Sequence, residues 1–435
     1  MIFGLSHPKM GLSRLVVLAA AAIAAMAMPA LAVAKGKGGS HGKSGSSHGK
    51  SGSHHTGKKP VGAVYTETND PSGNHVLIFD RAANGALTLT GSVATGGNGD
   101  QMQPQPGCMP TCPILDTQGE LAQTPDGHLL FAVNAGSNSI SSFRVTSKGL
   151  KLVATVPSQG TFPNSLTVHG NLLYVLNSDS LKIAGFRFSH NGNMTPISGS
   201  VQALTGGLPG LPRQIGFDNS GKVLMVTLLV TMANPMMMPV GSTSDQIDTF
   251  LVKSGVAGPA TAHDSTSDFP FAFAFTPRDQ AVVAQVDQLT GPPGTTQSYK
   301  VTHSGSVTPI SGATSGGNAP CWVVITASNR YAYVVNTGGG VPPGPSVAEY
   351  KLSPSGKLTL LGNAPTSGEF ANTDEALSND NKYLYVLVPL LSGSASTPGG
   401  KSQIDTYAVH HNGTLSFVGS SATFPAPSLS GLVAN

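Results

Sequence analysis

The stretch LAQTPDGHLLFAVNAGSNSISSFRVTSKGLKLVAT, residues 121–155, holds four short apolar runs separated by turn residues. Residues 121–124 end at Pro125-Asp126-Gly127, where proline presets φ and glycine tolerates a positive φ, the chemistry of a β-turn. Residues 129–134 follow and close on a loop at 136–138. Residues 139–145 alternate Ile140, Ser142 and Arg144 against Ser141, Phe143 and Val145, the period of a half-buried strand. Lys148-Gly149 then turns the chain into residues 150–155. Four strands joined by tight turns make one antiparallel up-and-down sheet. Alone it would leave an apolar face and two bare edges, so it requires neighbours.

The rest of the chain supplies them. Tyr174-Val175-Leu176-Asn177 and Tyr331–Asn336 (YAYVVN) repeat the second run, Phe131-Ala132-Val133-Asn134. Third runs recur at 183–188, 246–252, 297–301, 347–352 and 403–409, and fourth runs echo each other at 194–198 and 307–311. Four-strand units spaced about 40–60 residues apart are the signature of a β-propeller. The units lie near 64–93, 121–156, 165–201, 214–261, 271–313, 321–364 and 374–422, which predicts an all-β fold of seven four-stranded antiparallel blades. The first unit starts at 62–69 on a second-strand pattern, and residues 428–435 (SLSGLVAN) read as a first strand. The expectation is that the C-terminal strand completes blade one and pairs with the N-terminal one. Only 10% of residues are charged, with 54 Gly and 32 Pro, which fits many short strands and turns and argues against a helical protein.

Residues 1–34 read as a secretory signal. Lys9 and Arg14 precede an apolar run at 15–28, and Ala30-Leu31-Ala32 or Ala32-Val33-Ala34 offers a small-residue cleavage site. The run is short for a membrane span, and an uncleaved anchor is the alternative. Residues 35–60 are low complexity, with SHGKSGS at 40–46 and again at 47–53, and read as a flexible linker. The propeller would then occupy 61–435, exported to the periplasm or cell surface, as a monomer with no transmembrane span in the mature chain. All 21 acidic residues lie after Pro60, against 16 of the 24 Lys and Arg, so a basic leash precedes an acidic body. The leash could bind anionic envelope polymers or hold a metal weakly through His41, His48, His54 and His55; a solvated spacer is the plainer reading. No basic aromatic patch in the folded part points to nucleic acid.

Cys108 and Cys112, a C-x3-C pair in a Gly/Pro/Gln-rich insertion, are expected to form a disulfide that pins that loop, with Cys321 outside the bond and in the core. Propeller geometry puts first-to-second and third-to-fourth strand turns on one face. Six of the eight histidines after Pro60 fall on such turns: His128, His169, His190, His303, His410 and His411. They are expected to be separate exposed residues; Asp70, Asp218, Asp279 and Asp380 read as turn residues. His75 begins a third strand, and His263 is expected in a connection between blades.

The opposite face carries the long Gly- and Pro-rich loops at 97–118, 231–245, 289–296, 337–346 and 389–402, and loops of that length are often functional. Met236-Met237-Met238 in one of them reads as hydrophobic packing. Innermost strands begin near this face and line the central channel. Their starts supply Glu120, Asn164, Arg213, Gln214, Phe271, Trp322, Asp374 and Glu375. One arginine with carboxylates, amides and the only tryptophan suits a small anionic ligand held by Glu120, Asn164, Arg213, Gln214, Trp322 and Asp374. The competing reading is that the charges pair with one another and plug the channel. No Gly-x-Ser-x-Gly elbow, His-Glu-x-x-His or phosphate loop occurs in residues 61–435, and neither a metal nor another cofactor is expected in the propeller.

At these residues the chain resembles the lactonase-like seven-bladed propellers of the 6-phosphogluconolactonase and carboxymuconate-cyclase type, and surface propellers with Tyr-Val-Thr-Asn repeats. Thr124-Pro125-Asp126-Gly127 with Phe131–Asn134, Tyr174–Asn177 and Tyr333–Asn336 carry the resemblance, which spans about residues 60–435. The family's enzymes tend to open one blade with Pro-His and the next with Pro-Arg-His. Here those places read Pro163-Asn164 and Pro212-Arg213-Gln214, so Arg213 matches and both histidines are absent. The resemblance implies a lactone hydrolase with Arg213 on the substrate anion, which leaves Glu120 or Glu375 as the candidate acid or base. The alternative is a non-catalytic propeller that recognises an envelope polymer or a protein.

Overall fold

The computed structural model describes residues 59–100, 115, 117–205, 211–229, 246–266, 269–286, 294–338, 343–368, 372–390, 401–425 and 430–435. Its strands form seven antiparallel sheets, one per expected unit. From the inside outward, blade one is Ser430–Ala434, Gly62–Glu67, His75–Arg81 and Leu87–Ala94. Blade two is Leu121–Gln123, Leu129–Asn134, Ser139–Thr146 and Gly149–Pro157. Blade three starts with Pro163–His169, Leu172–Asn177 and Lys182–Phe188, and blade four is Leu211–Phe217, Val223–Leu229, Gln246–Lys253 and Val256–Asp264. Blade five is Pro270–Thr276, Gln280–Gln285, Thr295–Val301 and Val307–Thr314; blade six is Pro320–Ile325, Tyr331–Asn336, Ser346–Leu352 and Leu358–Pro365. Blade seven is Asp374–Leu377, Tyr383–Leu390, Lys401–Val409 and Leu415–Ser420, with Phe424–Pro425 paired beside its third strand. Innermost strands of successive blades are neighbours all the way round, blade seven returning to blade one through Ser430–Ala434.

Burial explains the sequence pattern. Second strands are covered on both sides by adjacent blades, so Leu129–Asn134, Leu172–Asn177 and Tyr331–Asn336 are buried at every position and read as continuous apolar runs. Outer strands such as Leu87–Ala94 face solvent and alternate. Every adjacent pair of blades shares an apolar cluster; between blades one and two it holds Tyr65, Val76, Ile78, Leu130, Ala132 and Phe143.

The tyrosine of the repeat is a latch between blades. Tyr333 Oη donates to the carbonyl of Gly413 (3.1 Å) and Tyr385 Oη to that of Gly85 (3.2 Å), each in the third-to-fourth strand turn of the next blade. Ser142, Thr249 and Ser298 reach Gly192, Gly305 and Gly356 in the same way. These turn glycines have φ between 83° and 92°, the left-handed region a side chain would strain. Tyr174 Oη donates to Gly255 O (2.9 Å) and accepts from Ala257 N (2.8 Å). Tyr174→Phe should therefore orphan two buried backbone groups and cost about 1–3 kcal/mol. Thermal melting checks this, and an unchanged midpoint would refute the latch.

Three details differ from the sequence reading. The outer strand of blade three is not one run but two pieces, Met194–Pro196 and Gln202–Ala203. Ser200 interrupts it: its Oγ accepts from Gly185 N (3.0 Å) and donates to Gly185 O (3.2 Å), replacing the ladder with a side chain. His263 lies inside the outer strand of blade four rather than in a connection, with Nε2 2.9 Å from Thr249 Oγ1. The turn histidines are not all separate: His128 and His190, on neighbouring blades, stack at 4.7 Å. Cys321 is buried, its thiol directed at Ala319 O (3.3 Å), whereas Cys108, Cys112, Met236–Met238 and residues 1–58 lie outside the described residues. Among the described residues no helix is long and apolar enough to cross a membrane.

Candidate functional site

Innermost strands run along the channel wall, and their first residues gather at the end where the long loops emerge. Glu120 immediately precedes the inner strand of blade two; Asn164, Arg213, Trp322, Asp374 and Glu375 open those of blades three, four, six and seven. Glu67, at the end of the second strand of blade one, joins them.

The channel is bridged at this level. The segment 117–119, at the end of the first long loop, crosses from blade two to blade six. Gln118 Nε2 donates to Val323 O and its Oε1 accepts from Val323 N, both at 3.0 Å, so one amide imitates a strand partner for a bare inner edge. Trp322 Nε1 donates to Thr117 O (2.7 Å), Ser165 Oγ to Gln118 O (2.6 Å), and Gln118 N to Arg213 O (3.3 Å). Gly119 (φ 91°) sits where a Cβ would lie 2.9 Å from Ser165 Oγ, so glycine is the residue that fits. Gln214 performs the same service between blades four and five, its amide pairing both ways with Phe273 (3.0 and 2.6 Å). The Gln214 amide and the Trp322 indole N–H are thus bonded to backbone, and Asn164 Nδ2 donates to Pro212 O (3.1 Å).

Beneath the bridge lie four carboxyl groups, all nearly inaccessible: Glu67 (0%), Glu120 (1%), Asp374 (2%) and Glu375 (2%). Among the described residues none is ion-paired. Burial holds the Glu120 carboxyl well above the usual carboxylate range, reinforced by the charges of Asp374 and Glu67, while Thr117 Oγ1 donates to its Oε1 (2.9 Å) and lowers it slightly. Burial, then Asp374, raises Glu375; the amides of Val324 and Val335 approach it without offsetting that cost, and neither carboxyl oxygen accepts a well-formed hydrogen bond. Asp374 and Glu67 are raised by burial as well, against the partial help of the Glu375 and Leu432 amides and of Asn74. Arg213 is half-buried at the mouth, with its guanidinium carbon 5.1 Å from the centre of the Phe271 ring. Chemically the arrangement combines a cation stacked on an aromatic ring with buried carboxyls whose proton affinity is raised, groups suited to donating protons.

A linkage test follows. An unfolded glutamate titrates near pH 4, about 4.3. With the folded value raised, the folded state holds the proton longer, so stability is intact below that pH and is lost as pH rises through the window above it. Glu120→Gln keeps an acceptor for Thr117 and presents an amide donor to Asp374. It should raise the melting temperature at pH 8 and leave it nearly unchanged at pH 4. Equal shifts at both pH values would show that this carboxyl is not the source.

An open groove of about 530 Å³ lies on the other face, lined by Val61, Arg81, Asp126, Asp380, Lys382 and Asn435 among others. Its charges satisfy one another, with Arg81 3.5 Å from Asp380 and Lys382 3.8 Å from the same carboxylate, so the channel remains the stronger site. Glu67 and Gln118 belong to that site and the sequence reading passed over both. The parallel between Glu67 and the asparagines that end other second strands was the available signal for the first; nothing local pointed to the second.

A family model described as "Lactonase, 7-bladed beta-propeller" matches residues 72–208 and 280–387. The chain is similar in structure to a candidate 6-phosphogluconolactonase from Bacteroides uniformis (15% identity, 86% of this chain and 99% of that chain, TM-score 0.61). A second candidate 6-phosphogluconolactonase, from Bacteroides fragilis, gives 17% identity, 86% and 98% coverage and a TM-score of 0.59. The periplasmic gluconolactonase of Pseudomonas aeruginosa gives 16% identity, 86% and 98% coverage and a TM-score of 0.59. At these identities the likeness is one of fold. No curated protein sequence matches the chain.

Proposed function

The chain belongs to the lactonase family of seven-bladed β-propellers, and from that premise we propose that it is an exported monomer that binds and hydrolyses a small anionic lactone of a sugar acid at the channel mouth. The observation that carries this reading is that Arg213, stacked on Phe271, and buried carboxyls of raised proton affinity all stand at inner-strand starts. Arg213 would grip the substrate carboxylate or phosphate through its planar fork. Opening a lactone requires a base to take a proton from the attacking water and a donor for the departing ring oxygen. The charge of Asp374 raises the proton affinity of Glu120, and two such neighbouring carboxyls can hold one proton to give and one site to receive. Glu375 is the reserve candidate for either role. The apolar run at 15–28 with its small-residue cleavage options supports export.

One observation favours a second reading, a non-catalytic propeller that binds an anionic ligand, an envelope polymer or a protein. The 117–119 bridge covers the carboxyls, and both places where the family's enzymes tend to show histidine carry Asn164 and Gln214 instead. The deciding experiment assays the purified full chain against sugar-acid lactones, neutral, carboxylated and phosphorylated, by pH-stat. Turnover restricted to the anionic substrates is expected. Silence across the panel, with retained binding of an anionic polysaccharide, would overturn the enzymatic reading in favour of the second.

A further inference from the structure

On the face opposite the channel mouth, three tight turns from two neighbouring blades bring together Asp218, Asp279 and His303. His303 Nε2 lies 3.3 Å from Asp279 Oδ1 and 3.8 Å from Asp218 Oδ2, and the three ligand atoms all lie within 4.8 Å of one another. Each carboxylate is divided between two tasks. In Asp218, Oδ1 accepts from the amides of Lys222 and Val223, both at 2.9 Å, while Oδ2 takes Ser220 Oγ and turns toward the imidazole. In Asp279, Oδ2 takes Lys300 Nζ at 3.4 Å while Oδ1 turns toward the imidazole. Structural donors thus fix both acids and leave one oxygen of each facing His303.

We propose that this triad binds a divalent transition metal, zinc by preference, and staples blades four and five together. A zinc ion 2.0–2.2 Å from imidazole nitrogen and carboxylate oxygen separates its tetrahedral ligand atoms by about 3.4 Å. The His303–Asp279 separation already has that value, and the His303–Asp218 separation needs a shift of a few tenths of an ångström. One imidazole with two carboxylates suits zinc, nickel or copper better than calcium or magnesium, which prefer all-oxygen sets. Asp218 is buried (1%), whereas His303 is open (46%), so water completes the coordination from the solvent side. Lys300, next to the set, is satisfied by the outer oxygen of Asp279 and by Arg278 O at 2.9 Å. This inference is independent of the channel chemistry.

The test is the zinc dependence of thermal melting of the chelator-stripped full chain, with equilibrium dialysis in parallel. Zinc bound across two blades stabilises the folded ring by mass action, and the His303→Ala and Asp279→Asn variants separate it from zinc bound elsewhere. A saturable rise of about 3 °C or more is expected for the parent protein. His303→Ala and Asp279→Asn should each abolish the rise and lower the bound stoichiometry by one ion, and His410→Ala, on a distant turn, should retain both. The zinc-induced shift is read within each variant, so any change in basal stability cancels. A parent protein insensitive to zinc, or a rise that survives in His303→Ala, overturns the proposal.

Discussion

Deletion of residues 430–435 is expected to abolish the folded propeller. Ser430–Ala434 is the innermost strand of blade one, paired with Gly62–Glu67 in the register Val64↔Ala434, Tyr65↔Val433 and Thr66↔Leu432. Asn435 extends the pairing: its Oδ1 accepts from Ala63 N (2.7 Å), its N donates to Ala63 O (2.9 Å), and Arg81 Nε donates to its carbonyl (3.0 Å). Leu432 and Ala434 are buried in the cluster that joins blades one and seven. Loss of one buried leucine costs about 2–5 kcal/mol. Removing the whole strand also leaves the backbone groups of Gly62–Glu67 that faced it without partners and opens the ring, against a total stability of about 5–15 kcal/mol. Size-exclusion chromatography and thermal melting of the truncated chain should show aggregate and no cooperative transition. Leu432→Ala is the graded control, with an expected loss of about 2–4 kcal/mol. A truncated chain that melts like the full one would mean that the ring does not depend on this strand.

Arg213→Ala is the second change with a large expected effect, and its target is function. If Arg213 holds the anionic group of the substrate, removing charge-assisted hydrogen bonds worth about 1.5–3 kcal/mol lowers kcat/KM or affinity about 10- to 150-fold. The stacking on Phe271 accounts for about 0.5–1 kcal/mol of any stability loss. Arg213→Lys should fall between, because an ammonium keeps the charge and loses the bidentate fork. The plug reading predicts the reverse: an arginine that balances buried anions would cost about 3–5 kcal/mol when removed. Burial raises the proton affinity of all four carboxyls, which lessens the charge a cation would have to balance. A steep drop in melting temperature with unchanged kinetics would show that the cation is structural.

The contrast between the two changes reflects how each residue could be read. Residues 121–155 declare their strands through a period of two and through Pro125-Asp126-Gly127, and both signals act within a few residues of chain. The continuous runs at Leu172–Asn177 and Tyr331–Asn336 announce strands buried on both sides, which a ring of blades provides. Blade number, closure by residues 430–435 and the gathering of inner-strand starts were legible for that reason. The place of Arg213 was legible too, because an inner-strand start has a fixed position once the register is known.

What lay beyond the sequence depends on distances between segments that share no local pattern. Gln118 and Val323 are 205 residues apart, and only the diameter of the closed ring brings the amide to the opposite wall. Asp218, Asp279 and His303 each look like ordinary turn residues, and it is the angular step from blade four to blade five that overlays their turns. The proton affinity of Glu120 likewise follows from how completely the inner strands and the 117–119 bridge exclude water, a property of the assembled ring. Strand period and turn chemistry are local and are written in residue order; burial and charge coupling arise when all seven blades are in place, and they decided the chemistry of the channel.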